Sequence, residues 1–380
     1  MRFAERFQNL PPYLFAGLER KAVELKAQGK DIIHLGIGDP DLPAPDFFVD
    51  AVRRHLTDPD AHFYPTSQGD VEVRRAIARW FWGRFGVELD PEEEICVLIG
   101  AKEGLANFSR VIVNPGDRVA VPDPAYPVYA QACAILNDAV SVRMPLDPER
   151  GFLPDLNEAR GCRLAFINYP NNPTGATAPD SFFKAAADFV ASHPETVLAH
   201  DSAYSEMTFG GYQSPSLLQF TRKGIEFHSL SKLLNATGFR IGFAAGSAEL
   251  IRGLAALKAQ LDSGAPTFIQ RAAADALGRY EGARPPREVI CNLEEYQRRR
   301  LLVEEQLNAI GWSVLRSRAT FYVWAKVGDD ELDIVQGALQ RGVILTPGRG
   351  FGPAGKGYVR LALSQPYERL EEAMERLKEV

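Results

Sequence analysis

Ser229, Lys232 and Arg240 fall within one short stretch, EFHSLSKLLNATGFRIGF at residues 226–243, and Gly238 and Gly242 bracket the arginine. A free lysine titrates near pH 10.4 and must lose its proton before its amine can attack a carbonyl. A neighbouring cation and partial burial both favour the neutral amine. Arg240 offers an anion a fork of donors, and the two glycines let backbone pass close to a ligand. These residues, with the hydroxyl of Ser229, suit a small molecule that carries both an aldehyde and an anionic group.

The remaining chemistry-bearing residues sit where strands end. Residues Arg163 to Asn168 read as an apolar strand feeding NYPNNPTG, in which Asn172 sets a side-chain amide among residues that force a turn. The strand TVLAHDSAYSEM ends in Asp201 and Tyr204. A carboxylate there is costly to bury unless it meets a cation, and a protonated ring nitrogen would serve. His200 is expected to be structural, because neighbouring strand side chains point to opposite faces. In ICVLIGAKEGLANFSRVIV a strand turns at Gly100 into a helix opening near Ala101 and Lys102, whose free backbone N–H groups suit a phosphate. Tyr126 and Tyr129 follow the strand Arg118 to Val121 in PDPAYPVY, and Tyr129 reads as core. Arg360, in GYVRLAL, could clamp a carboxylate through two parallel bonds where a lysine could not. Ile37 and Gly38 lie in a proline-rich turn, which is no dinucleotide fingerprint because no helix follows.

Pyridoxal phosphate combines an aldehyde, a phosphate and a pyridine nitrogen. The stretch around Lys232 resembles the Schiff-base motif of the class I/II aminotransferases, the fold-type-I pyridoxal phosphate enzymes, and matching motifs run in family order from Gly36 to Arg360. The resemblance implies that Lys232 binds the aldehyde of pyridoxal 5′-phosphate and then moves a proton from the substrate. It also implies cofactor contacts from Ala101, Lys102, Tyr126 stacked on the ring, Asn172, Asp201, Tyr204, Ser229 and Arg240. Ile37, Gly38, Asn172 and Arg360 would meet the substrate. Tyr64, in HFYPTSQGD, would reach the phosphate of the other subunit, so the resemblance implies a homodimer with shared active sites.

Alternation of strands and helices argues α/β with a largely parallel sheet whose ligands sit at strand C-terminal ends. The family fold is similar: a large domain with a mixed, mostly parallel seven-stranded sheet, expected at residues 41–284, and a small α+β domain from residues 1–40 and 285–380. Helices are expected at Tyr13 to Lys30, between Asp70 and Gly86, and from Glu288 to Ile310; FYVWAKV, GVILTPG and GYVRLAL read as late strands.

The implied reaction moves an amino group between an L-amino acid and a 2-oxo acid. L-D-S-G at residues 261–264, with LGIGDPDLPAP and PDPAYPVY, looks most like the LL-diaminopimelate aminotransferase branch. Residues 253–270 contain no arginine, which argues against a dedicated aspartate enzyme of the kind that binds the distal acid there. Aspartate, alanine or aromatic aminotransferases, a carbon–sulfur lyase on the same scaffold, and a cofactor-binding regulator without turnover are the alternatives.

Composition agrees with a small-molecule enzyme. The chain has 380 residues, 46% apolar, with a net charge of -6 and no basic stripe for nucleic acid. Its four cysteines lie far apart without metal-ligand spacing, which suggests free thiols and no metal. No stretch approaches a membrane span, and MRFAERFQNLPPYLF lacks a signal-peptide core, so a cytoplasmic location is expected. Gly350 to Gly357 imitates a Walker loop, but it lacks the Ser or Thr after Lys356 and a strand follows.

Overall fold

The structure is a computed structural model that describes residues 2–12 and 14–380. Tyr13, at the expected start of the first helix, lies outside the described residues; that helix spans Leu14–Ala27 and stops ahead of Gly29, whose φ is 78°.

Strands, in chain order, are β1 (Ile33–His34), β2 (Ile95–Leu98), β3 (Arg118–Asp123), β4 (Val140–Pro145), β5 (Leu164–Asn168), β6 (Val197–Asp201), β7 (Gly224–Ser229) and β8 (Gly242–Gly246). They continue with β9 (Ser313–Val314), β10 (Tyr322–Lys326), β11 (Val343–Ile344), β12 (Thr346–Pro347) and β13 (Tyr358–Ala362). Seven of them form one sheet in the order β2-β8-β7-β6-β5-β3-β4. Strand β8 runs antiparallel to both of its neighbours, and the other pairings are parallel. The six remaining strands therefore point the same way, and their C-terminal ends share one edge with the start of β8. Burial on both faces explains why these strands read as unbroken apolar runs: every residue of β2 and β5 is buried.

Helix Val71–Phe85 starts where the Asp70 side chain accepts from Glu72 N and stops at Gly86, whose φ is 66°. Its Ile77, Trp80, Phe81 and Phe85 pack with helix Thr267–Leu277 in one core beside β2 and β8. Toward the C-terminus, helix Arg287–Ala309 packs against a four-stranded sheet in the order β12-β13-β10-β9, while β1 pairs with β11. GVILTPG is thus two short strands rather than one. Val343 and Ile344 face β1, whereas Thr346 and Pro347 pair with β13, so the chain changes partner at Leu345. Strand β3 runs two residues beyond Val121, since pairing with β4 continues to Asp123 after β5 has left at Ala120.

Candidate active site

A cavity of about 350 Å³ opens at the C-terminal edge of the large sheet, within the range of small-molecule sites. Its wall draws together most of the residues expected to carry chemistry: Ile37, Gly38, Ala101, Lys102, Tyr126, Asn172, Asp201, Tyr204, Ser229, Lys232, Arg240 and Arg360. Sheet register explains the convergence. Asn168 lies opposite Asp201, and Ser229 and Leu98 flank Gly242, so the loops after β2, β5, β6 and β7 and the loop before β8 share one rim.

Lys232 follows β7 in the short helix Leu230–Leu233, and its Nζ donates to Gly38 O at 3.0 Å. Burial lowers its pKa to about 8; Asp39 works against this, and Arg240 and Arg360 assist it. The amine is thereby poised to lose its proton near neutrality. Behind it the helix Ala101–Ile112 begins at Gly100, whose φ of 84° favours glycine. A Cβ at Gly100 would lie 2.5 Å from Arg240 Nη2, so only glycine lets the guanidinium approach this helix N-terminus. Arg240 Nη1 is anchored on Thr237 O at 2.9 Å. Guanidinium and helix N-terminus together make a cradle for an anion.

Asp201 closes the floor and is 4% exposed. Burial raises its pKa, while a hydrogen bond from Tyr129 Oη to Asp201 Oδ2 at 2.6 Å opposes that shift. Tyr129 is core as expected, with its ring stacked on Phe166 at 4.9 Å. Its hold on Asp201 was not legible from spacing, because it depends on the short helix Val128–Gln131 turning the ring under the sheet edge. His200, next to Asp201, points to the opposite face and bonds Glu226 Oε1 at 2.6 Å and Tyr169 O at 2.9 Å, as strand alternation requires.

Arg360 is 1% exposed. It donates to Asn172 Oδ1 at 2.9 Å and Gly36 O at 2.8 Å, with its guanidinium 4.2 Å from the centre of the Tyr322 ring. Because Asn172 Oδ1 accepts from Arg360, its Nδ2 is left as the donor end. Tyr204 Oη pairs with Tyr322 Oη at 2.9 Å. Tyr322, expected only as part of a strand, lines the cavity, because alternation along FYVWAKV turns it toward the site. A Cβ at Gly38 would fall 2.0 Å from Tyr322 Oη, so glycine is needed at that wall.

Tyr64 does not line this cavity; it is 92% exposed. The structure holds an anion cradle, a lysine amine and a buried carboxylate around one cavity, with aromatic Tyr126 at its side. That donor set fits a flat molecule with a phosphate at one end and a basic ring nitrogen at the other. Among the described residues, no group of His, Cys, Asp or Glu side chains could hold a metal, the cysteines are free, and no helix is long and apolar enough to cross a membrane.

Comparison with known proteins agrees with this geometry. Residues 30–377 match the family "Aminotransferase class I and II". The chain belongs to that family. As such it is an aminotransferase, and its cofactor is pyridoxal 5′-phosphate. It is 48% identical to the LL-diaminopimelate aminotransferase of Desulforudis audaxviator, over 99% of this chain and 97% of that protein. It is 46% identical to the protein of the same name from Moorella thermoacetica, over 100% and 98%. Among solved structures, the aminotransferase chain is similar to the aspartate aminotransferase of Thermus thermophilus with maleate, at TM-score 0.92 and 32% identity, with each chain covered completely. It also resembles substrate-bound BacF from Bacillus subtilis, at TM-score 0.93 and 30% identity, over 100% of this chain and 98% of the other.

Proposed function

We propose that this aminotransferase moves an amino group between LL-diaminopimelate and a 2-oxo acid, with 2-oxoglutarate and glutamate as the second pair. The observation that carries the reading is identity of 42–48% over nearly the whole chain to relatives bearing that name, against 30–35% to the solved aspartate and other aminotransferases. The absence of arginine from residues 253–270 supports it.

The bound cofactor supplies a conjugated ring that takes up the electron pair released when the substrate Cα–H bond breaks. The protein's own residues do the rest. Lys232 Nζ would hold the aldehyde end of the cofactor, and its amine would accept the substrate Cα proton. Arg240, Ser229 and the N–H groups of Ala101 and Lys102 would bind the phosphate. Tyr126 would lie against the ring, and Asp201 would pair with the ring nitrogen and keep it protonated. Asn172 Nδ2 and the Tyr204 phenol would donate to the ring oxygen. Arg360 clamps the substrate α-carboxylate, with the backbone of Ile37 and Gly38 beside it.

In the same reading the enzyme is a cytoplasmic homodimer whose large domain spans residues 41–284, with the small domain made of residues 1–40 and 285–380. Tyr64 completes the partner's phosphate site. Phe63, Tyr64 and Leu261 expose large side chains on segments that meet where Gly264 approaches Thr66, which supports an interface there. Incubation with LL-diaminopimelate and 2-oxoglutarate should yield glutamate. Release of ammonia and pyruvate from an amino acid would instead favour a lyase, and no turnover with any donor a regulator. For the dimer, mixed Tyr64→Phe and Lys232→Ala subunits should recover activity that neither variant has alone. A demonstrably mixed dimer that recovers none would exclude shared sites.

A further inference from the structure

Lys258 is buried to 0% exposure and does not line the cavity. An ammonium in such a place is tolerated only when paired. Its Nζ donates to Glu103 Oε1 at 3.1 Å and to Asp262 at 2.9 and 3.2 Å. Burial alone would favour the neutral amine, yet Glu103 and Asp262 outweigh it and hold the pKa above the ordinary lysine value.

Each partner leads to one side of the phosphate end of the site. Glu103 lies in the first turn of helix Ala101–Ile112, and its Oε2 accepts from Ile99 N at 3.0 Å, fixing the turn that carries Gly100. Its Oε1 also accepts from Asn107 Nδ2 at 2.5 Å. This acid favours the helix dipole but repels an anion bound by the same N–H groups. On the other side, Asp262 Oδ1 accepts from Gly264 N at 2.8 Å. Gly264 has φ +99°, and a Cβ there would lie 2.5 Å from Thr66 O, two residues beyond Tyr64. The L-D-S-G turn thus has a physical reading: Asp262 serves Lys258, and Gly264 permits close packing against the Tyr64 segment.

We propose that Lys258, Glu103 and Asp262 form a positioning cluster that offsets the negative charge behind the phosphate cradle and ties the cradle to the segment bearing Tyr64. This rests on the reading of the helix Ala101–Ile112 N-terminus as the phosphate site. Loss of Lys258 leaves two carboxylates behind the phosphate, whereas loss of the Glu103 charge makes the cluster neutral. The two changes must therefore act with opposite sign on cofactor affinity, which a purely packing role would not produce.

Equilibrium dialysis of the holoenzyme, with pyridoxal phosphate followed by absorbance, tests this. Lys258→Met should raise the cofactor Kd roughly tenfold, the scale of losing one partly buried ion pair. Lys258→Arg should stay within about twofold of the parent. Glu103→Gln, which keeps the acceptor for Ile99 N–H, should lower Kd, and the double variant Lys258→Met with Glu103→Gln should recover most of the lost affinity. The proposal is overturned if Glu103→Gln weakens binding as Lys258→Met does, or if Lys258→Met binds like the parent. Should Lys258→Met fail to fold, the sign of the Glu103→Gln effect decides alone. A parent enzyme that did not retain pyridoxal phosphate would sink the cofactor reading itself, and the cluster's role with it.

Discussion

Replacing Tyr129 by Phe removes one oxygen and leaves the ring stacked on Phe166, so it isolates the hydrogen bond to Asp201. That bond is 2.6 Å long and lies between two buried groups; among the described residues the carboxylate also accepts from Ala203 N at 3.2 Å. A hydrogen bond to a charged group contributes about 1.5–3 kcal/mol, or roughly one to two pKa units at 1.36 kcal/mol each. The sign follows from the structure. Burial already raises the Asp201 pKa and Tyr129 lowers it, so the variant raises it further. Protonated Asp201 cannot pair with a protonated ring nitrogen, and the acid limb of the pH profile of kcat/KM should move upward. A bound pyridinium would partly replace the lost donor, so the effect should fall near the lower bound, about 1.5 kcal/mol, which lowers kcat/KM by up to about tenfold on the acid side of the limb and leaves the plateau above it unchanged. Steady-state kinetics from pH 5 to 9, with the unfolding midpoint as a control on folding, measures both. An unshifted acid limb with kcat/KM within twofold of the parent would refute the assignment of Tyr129 as the group that keeps Asp201 ionised.

Lys232 offers a second test, since burial lowers its pKa to about 8. Cofactor-stripped protein should capture pyridoxal phosphate at a rate that rises about tenfold per pH unit below 8 and levels above it, and a rate still climbing at pH 10 would contradict the burial argument. Glu226 is fully buried and accepts from His200 Nδ1, Ser216 Oγ and Leu217 N at 2.6 Å each, with His228 Nε2 at 3.3 Å. Burial opposes its ionisation, but the two histidines outweigh it and hold the carboxyl well below its ordinary 4.5. Its stabilisation is therefore fully present above that pH and lost as pH falls below it. Glu226→Ala should cost about 3–5 kcal/mol in urea unfolding at pH 7; a cost under about 1 kcal/mol would show that the cluster is not holding β6 and β7 together.

Much of the site was legible in the sequence because its residues sit at strand ends, where local pattern decides both element and direction. Asn172, Asp201 and Lys232 follow three apolar runs, and parallel pairing alone brings such ends to one edge. Arg360 was legible from its strand, but its contacts with Asn172 and Gly36, 188 and 324 residues away, depend on how the C-terminal sheet docks. Tyr129 reads as core and Tyr322 only as part of a strand, because a phenol packed in a core and one that bonds Asp201 or Tyr204 have the same local signature. Lys258 escaped for the same reason: it occupies a helix position that looks solvated, and only tertiary contact shows it buried between Glu103 and Asp262. GVILTPG misled because an apolar run does not reveal that it serves two sheets in turn.

Substrate preference tests the account most directly. In the proposed reading Arg360 would hold only the α-carboxylate common to all amino acids, so discrimination must arise elsewhere in the pocket, and kcat/KM ratios report it as transition-state binding. The measurement is kcat/KM for LL-diaminopimelate, aspartate, alanine, methionine and phenylalanine, each with 2-oxoglutarate as acceptor. The account predicts that LL-diaminopimelate exceeds every other donor. An aromatic or small neutral donor that beats it by about 100-fold, roughly 2.7 kcal/mol in transition-state binding, would contradict the diaminopimelate assignment.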